Sequence, residues 1–137
     1  MENDCLFCKI SRKEIPSTVI YEDEDSFAFL DIKPMNDGHT LVIPKRHATD
    51  ILTISEEDWL KVTRTVHMVA QAVERALAPD GINIVMNNRM PAGQVIFHAH
   101  VHIIPRIDKD GHLKAAYKKD LTDEDAENLS NKIRAQL

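Results

Sequence analysis

The chain has only two cysteines, Cys5 and Cys8, close together near the N-terminus, so no disulfide framework is available to hold it. It also has no apolar run long enough to cross a membrane and no apolar signal-type stretch at its start. Positive charge is in deficit: 17 Lys and Arg against 22 Asp and Glu give a net charge of -5. A general nucleic-acid binder needs a basic face to displace counterions from phosphates, so that class is excluded. A small anionic substrate would have to be held locally, by histidines, amides and helix termini. Repeats and low-complexity segments are absent as well. What remains is 137 residues, 43% hydrophobic and 28% charged, the make-up of an ordinary globular protein. One domain over residues 1–137 and a cytoplasmic location are the expectations.

Apolar spacing and punctuation predict the elements. Leu6, Phe7 and Ile10 behind Asp4 as N-cap suggest a short helix ending before Pro16, with Cys5 and Cys8 on one face. Val19 to Tyr21 and Phe27 to Leu30 read as strands joined by the acidic turn Glu22 to Asp25, and His39 to Ile43 as a third strand stopped by Pro44. Ser55 followed by Glu56, Glu57 and Asp58 starts the main helix. Trp59, Val62, Val66, Val69, Ala70, Val73 and Leu77 form its apolar stripe, Pro79-Asp80-Gly81 ends it, and His67 lies on its surface. Ile82 to Met86 is a fourth strand. Leu113 to Asp120 shows no clear pattern. Thr122 caps a last helix with Ala126, Leu129, Ile133 and Leu137 along one stripe. The succession predicts an α+β domain with one long helix crossing between strands three and four.

The most unusual stretch is His98-Ala99-His100-Val101-His102-Ile103-Ile104. On a strand ended by Pro105, the three histidines share one face, while Phe97, Ala99, Val101 and Ile103 share the other. At roughly 3.3 Å per residue, His98 and His102 stand about 13 Å apart, too far to ligate one metal ion together. Adjacent histidines about 6.6 Å apart suit an extended anionic substrate.

The run fits His-φ-His-φ-His-φ-φ, where φ is apolar, and resembles the signature of the histidine triad superfamily of nucleotide hydrolases and transferases. Phe7-Cys8-Lys9-Ile10, Glu14-Ile15-Pro16, Phe27 to Ile32, Gly38 to Lys45 and Ala92-Gly93-Gln94 resemble blocks of its Hint-like branch. The match covers roughly Cys5 to Arg106. The resemblance implies a mainly antiparallel five-stranded sheet, with the long helix crossing it and short N- and C-terminal helices. It also implies a homodimer joined through the long helix and a strand edge.

By that resemblance His100 is a nucleophile that attacks the α-phosphorus of a nucleotide and forms a nucleotidyl-histidine. His102 assists the phosphate and leaving group, and His39 supports both. Asn87 and Gln94 match positions that contact the phosphate and leaving group. Asp31 matches a carboxylate that accepts from ribose hydroxyls. Phe7, Ile10, Phe29, Leu30 and Ile32 would form the slot for the base of an adenosine-type purine nucleotide. The chain departs from the Hint-like pattern at Arg89-Met90-Pro91, where a Gly-rich turn is common, and at Val95, where a serine is common.

Cys5, Cys8, His47 and His98 form a second constellation. A Cys-x-x-Cys on one helical turn plus two histidines completes a tetrahedral site, and bacterial-type relatives resemble this arrangement and bind structural zinc with it. Taken as residues alone, the cysteines could instead be a redox pair. Two rival functions remain open at this stage. One is a metal-dependent hydrolase using the histidines as catalytic ligands, and the other a nucleotide-binding regulatory protein with little turnover.

Overall fold

The computed structural model describes residues 4–111 and 120–137. Its elements are α1 (Leu6–Ser11), β1 (Val19–Glu22), β2 (Ser26–Leu30), β3 (Thr40–Pro44), α2 (Glu56–Leu77), β4 (Gly81–Val85), β5 (Val101–Arg106) and α3 (Asp123–Arg134). The strands form one antiparallel sheet in the order β1-β2-β3-β5-β4. Most of the patternless stretch, residues 113–119, lies outside the described residues.

Alternation along the central strands makes two cores, one on each face of the sheet. Ala28, Val42, Val101 and Ile103 point to α2 and pack with Val62, Val66, Val69 and Val73. Burying each of those valines contributes about 1.5–3 kcal/mol relative to leaving it in water. Phe27, Phe29, Leu41 and Ile43 point the other way and pack with Phe7 and Ile10 of α1. Every second residue of β5 therefore faces α2, and His102 between them faces the α1 side. The sheet's period thus decides which face carries the chemistry.

The Ser55 hydroxyl accepts from the amide of Asp58 at 3.1 Å, as the cap of α2 requires, and three acidic residues fill its first turn. The helix stops at Ala78, which takes a left-handed conformation with φ 44°. Leu77, expected in the buried stripe, is exposed, and its end lies over Gly38, whose φ of 89° suits glycine.

Several local expectations are corrected. Cys5, not Asp4, caps α1, its Sγ accepting from the amide of Cys8 at 3.4 Å. β3 does end at Pro44, but Pro105 does not end β5, which runs on to Arg106. Pairing between β3 and β5 covers only Thr40↔Ile103 to Val42↔Val101, so each proline keeps a single paired neighbour, Ser26 or Ile82. A missing amide on an unpaired side costs no ladder bond. The histidine strand begins only at Val101: His98 lies in a bend before it, and His100 immediately precedes it. Thr122 caps α3 as expected, but none of that helix's residues is buried, and Leu129 and Ile133 are exposed.

Candidate active site and metal cluster

His98 leaves the row of histidines and turns to the cysteines. The amide of Ala99 donates to the carbonyl of Ala48 at 2.7 Å, which ties the histidine run to the loop carrying His47. His98 Nδ1 then lies 3.4 Å from Cys5 Sγ, 3.4 Å from Cys8 Sγ and 3.2 Å from His47 Nδ1. Cys8 Sγ is 3.4 Å from His47 Nδ1. Four ligands at zinc distances around one centre stand about 3.3 Å apart nitrogen to nitrogen and about 3.6 Å apart nitrogen to sulfur. The observed separations are those of such a tetrahedron. The other ring nitrogen of His98, Nε2, donates to the carbonyl of Pro44 at 2.8 Å, so Nδ1 carries the lone pair a metal needs. Burial pushes His98 down to about 4, opposed by that hydrogen bond, so the ring is neutral. The residues present fit a zinc ion.

The remaining histidines form a directed chain. The amide of Met35 can only donate, so at 3.1 Å it makes His39 Nδ1 an acceptor. The proton of a neutral His39 then sits on Nε2, 2.9 Å from His102 Nδ1. His102 accepts there, and its own proton is left on Nε2. His100 is fixed in the opposite sense. Its Nδ1 donates to the carbonyl of His98 at 2.7 Å, which leaves Nε2 with a lone pair. Burial holds His39 and His100 below the ordinary histidine range, with Asp31 opposing in both cases. Burial and the neighbouring histidines push His102 down to about 4. A neutral acceptor nitrogen on His100 and a donor nitrogen on His102 therefore stand side by side, ring centroids 5.0 Å apart. Asp31, His39 and His102 also converge enough to suggest a metal group. At 2.9 Å, however, the two imidazoles are already joined by a hydrogen bond.

Both histidines open onto a cleft of about 550 Å³. Phe7, Ile10, Phe29 and Leu30 line it, as expected of the apolar slot, and Phe7 stands edge-on to His100 with centroids 5.1 Å apart. Ile32 lines it too, but at the rim, 90% exposed. Asp31 is on the wall. One of its oxygens accepts from the amide of Lys33 at 2.9 Å, and the other lies 3.7 Å from His39 Nε2. Asn87 lines the cleft beside Gly93, whose φ of 94° suits glycine.

Gln94 is placed differently from its expected contact with phosphate. It is 2% exposed and does not line the cleft. Its Oε1 accepts from the amide of Arg89 at 2.6 Å, and its Nε2 donates to the carbonyls of Thr49 and Ile96 at 2.6 and 3.1 Å. All of its amide groups are spent on backbone, where they hold the β4–β5 connection together and tie it to the β3–α2 loop at Thr49. Arg89 sits at φ 71° and ψ 157°, a region that favours glycine, and its side chain is exposed, 4.0 Å from Asp50. Sequence reasoning missed Ile15, Pro16 and Leu41 on the cleft wall, although Ile15 and Pro16 stand in a block already noted for its resemblance. It also missed the carbonyls of Pro44, Thr49 and His98, which no side-chain pattern reveals.

An antiparallel sheet crossed by one helix, with opposed histidine tautomers at an apolar cleft and a two-cysteine, two-histidine cluster beside it, defines an α+β protein of the histidine-cleft kind. The chain belongs to the HIT family, whose HIT domain matches residues 12–109. It is 41% identical over 137 residues to the protein hit of Bacillus subtilis (strain 168), with 98% of this chain and 94% of that one covered. It is 39% identical over 106 residues to the adenosine 5′-monophosphoramidase hnt1 of Schizosaccharomyces pombe, with 77% of each covered. Among solved structures, it is similar to a HIT family protein from Bacillus anthracis, with TM-score 0.91, 37% identity and 98% of each chain covered. A zinc-bound histidine triad family protein from Mycobacterium smegmatis aligns with TM-score 0.75 and 35% identity, over 99% of this chain and 96% of that one.

Proposed function

We propose that the chain is a nucleotide hydrolase or transferase that cleaves a nucleoside monophosphate from a small leaving group through a nucleotidyl intermediate on His100. The observation that carries this reading is the 2.7 Å hydrogen bond from His100 Nδ1 to the His98 carbonyl, which fixes the lone pair on Nε2. Nε2 attacks phosphorus as the bond to the leaving group breaks. His102 Nε2–H donates a hydrogen bond to the departing group, which takes its proton from solvent water. Water then attacks the phosphorus bound to His100, its oxygen stays on phosphorus, the phosphorus–Nε2 bond breaks to restore the His100 lone pair, and one proton is released to solvent. His39 acts through His102, by keeping Nδ1 an acceptor.

The base lies in the slot of Phe7, Ile10, Phe29, Leu30 and Ile32, and the ribose hydroxyls donate to Asp31. Asn87 is the amide donor to phosphate. Gln94 positions the loops rather than touching substrate. The monophosphoramidase name of the fission-yeast relative favours an adenosine-type substrate and a phosphoramidate leaving group. Cys5, Cys8, His47 and His98 hold a structural zinc, which ties α1 to the histidine run when bound. The reading is completed by a cytoplasmic homodimer, each subunit one domain over residues 1–137, joined through α2 and a strand edge. Release of AMP from an adenosine 5′-phosphoramidate by the wild type and by His100→Ala tests the proposal. Equal rates would overturn it.

A further inference from the structure

The two halves of the metal-type cluster are built differently. Backbone pins the histidine half: His98 Nε2 donates to the Pro44 carbonyl at 2.8 Å, and the amide of Ala99 donates to the Ala48 carbonyl, next to His47, at 2.7 Å. The cysteine half rides on α1, a helix of six residues that also supplies Phe7 and Ile10 to the apolar slot. Cys5 and Cys8 stand one helical turn apart, a Cα separation of about 5 Å that a disulfide spans. Their sulfurs lie within 4.8 Å of each other. Access to the pair is one-sided. Cys5 is half-buried and lines a cavity of about 380 Å³, whereas Cys8 is 2% exposed and does not line it.

We propose that Cys5 and Cys8 are a redox pair as well as zinc ligands: a small disulfide reaching Cys5 through the cavity converts them to a Cys5–Cys8 disulfide, which expels the metal and unties α1. The proposal rests on the structural-zinc and base-slot readings above. A thiolate is both the form that ligates zinc and the form that attacks a disulfide, so a zinc site keeps its sulfurs in the reactive state. The Cys5 thiolate attacks one sulfur of the small disulfide, and the first thiolate of that molecule leaves. The Cys8 thiolate then attacks the Cys5 sulfur of the mixed disulfide, and the second thiolate leaves. Two protein thiolates thus give two electrons to one small disulfide, and the zinc ion passes to solvent because its two anionic ligands are gone. Zinc and oxidant exclude each other, and free zinc protects the pair according to its concentration over Kd. The histidine half stays where backbone holds it, so His100 keeps its bond to the His98 carbonyl. What loosens is α1, and with it Phe7, whose ring centroid stands 5.4 Å from that of Phe29 and 5.1 Å from that of His100. Oxidation therefore weakens nucleotide binding and leaves the reacting nitrogens in place.

The test mixes the full-length, zinc-loaded protein with excess oxidised glutathione in the presence of a zinc-binding dye. Zinc release is expected to keep step with the loss of both thiols, and the intact mass to settle about 2 Da below that of the reduced chain, the two hydrogens of one disulfide. Tm falls, the Kd for AMP rises severalfold, and dithiothreitol with zinc restores both. Cys8→Ser, which leaves Cys5, is expected to take up glutathione faster than Cys5→Ser, which leaves the buried Cys8. Zinc and thiols that survive the oxidant, a glutathione adduct that never closes, or a disulfide between two chains overturns the proposal. Faster uptake by Cys5→Ser overturns the assignment of Cys5 as the attacking sulfur, and an unchanged Kd for AMP after closure overturns the link to the slot. Protein that carries no zinc when purified without chelator overturns the zinc reading, and the exchange with it. Reduced, zinc-loaded protein that does not bind AMP overturns the nucleotide reading, while zinc release and disulfide closure still decide the exchange.

Discussion

His39 Nε2 lies 2.9 Å from His102 Nδ1, and the amide of Met35 on the far side of His39 fixes which of the two donates. The hydrogen-bond direction leaves His102 with a proton on Nε2, facing the cleft. Removing His39 frees His102 to adopt either tautomer. Under the proposed mechanism, His39→Ala lowers kcat by about a hundredfold, the lower range for losing a preorganised hydrogen-bond donor, and changes KM little. Steady-state kinetics on an adenosine phosphoramidate check this, and a change confined to KM would contradict it.

Zinc, if held by Cys5, Cys8, His47 and His98, contributes to folding rather than to bond cleavage. Metal analysis of protein purified without chelator is expected to find one zinc per chain. Cys8→Ser loses it and lowers Tm. Brief chelation that leaves the fold intact is expected to leave phosphoramidate hydrolysis in place. Activity that vanishes with the metal and returns with it, at unchanged Tm, would favour catalytic metal chemistry.

Gln94 bonds three backbone groups, two in its own loop and one, Thr49, in the loop before α2, and is buried. Gln94→Ala strands those groups away from water and is expected to cost about 2–4 kcal/mol, measured by denaturant unfolding. Arg89, whose amide Gln94 accepts, holds a glycine-type conformation that costs about 1–3 kcal/mol. Arg89→Gly relieves that strain and is expected to raise stability by about 1 kcal/mol.

Arg106 grips Asp110 with two nitrogens, Nε at 3.0 Å and Nη2 at 2.6 Å, and Asn36 Nδ2 donates to the same carboxylate at 2.6 Å. The Arg106 guanidinium, with the amide of Ile107, holds Asp110 well below the usual carboxylate range. A folded-state value below the unfolded one means stability that is present above the unfolded value, about pH 3.9, and lost as pH falls below it. Asp110→Asn is therefore expected to be less stable than wild type at pH 7, with the gap narrowing below about pH 4. Unfolding midpoints across pH measure it. A gap that widens on acidification would contradict the assignment.

Much of this architecture was legible from local rules. Ser55 and the three acids after it mark the start of α2, and the runs Phe27 to Leu30 and Leu41 to Ile43 mark strands buried on both faces. Pro105 misled because a proline ends a strand only where its missing amide faces a partner, and β3 and β5 pair too briefly for that. The metal-type cluster could be assembled only through a resemblance, since its four residues are up to 93 positions apart. Gln94 was misplaced because its partners are backbone carbonyls and an amide, which no side-chain pattern announces. The apolar stripe of α3 predicted the helix but not its exposure, because a cap and charged ends favour a helix even where none of its residues is buried.

The central claim is that His100 Nε2 becomes bonded to phosphorus. Zinc-loaded protein mixed with an adenosine 5′-phosphoramidate, quenched under alkaline conditions that preserve phosphorus–nitrogen bonds, and weighed intact by mass spectrometry tests it directly. The expected result is a transient gain of one nucleoside monophosphate per chain that maps to His100 and is absent from His100→Ala. Hydrolysis at full rate by His100→Ala, or an adduct that maps to another residue, would contradict it.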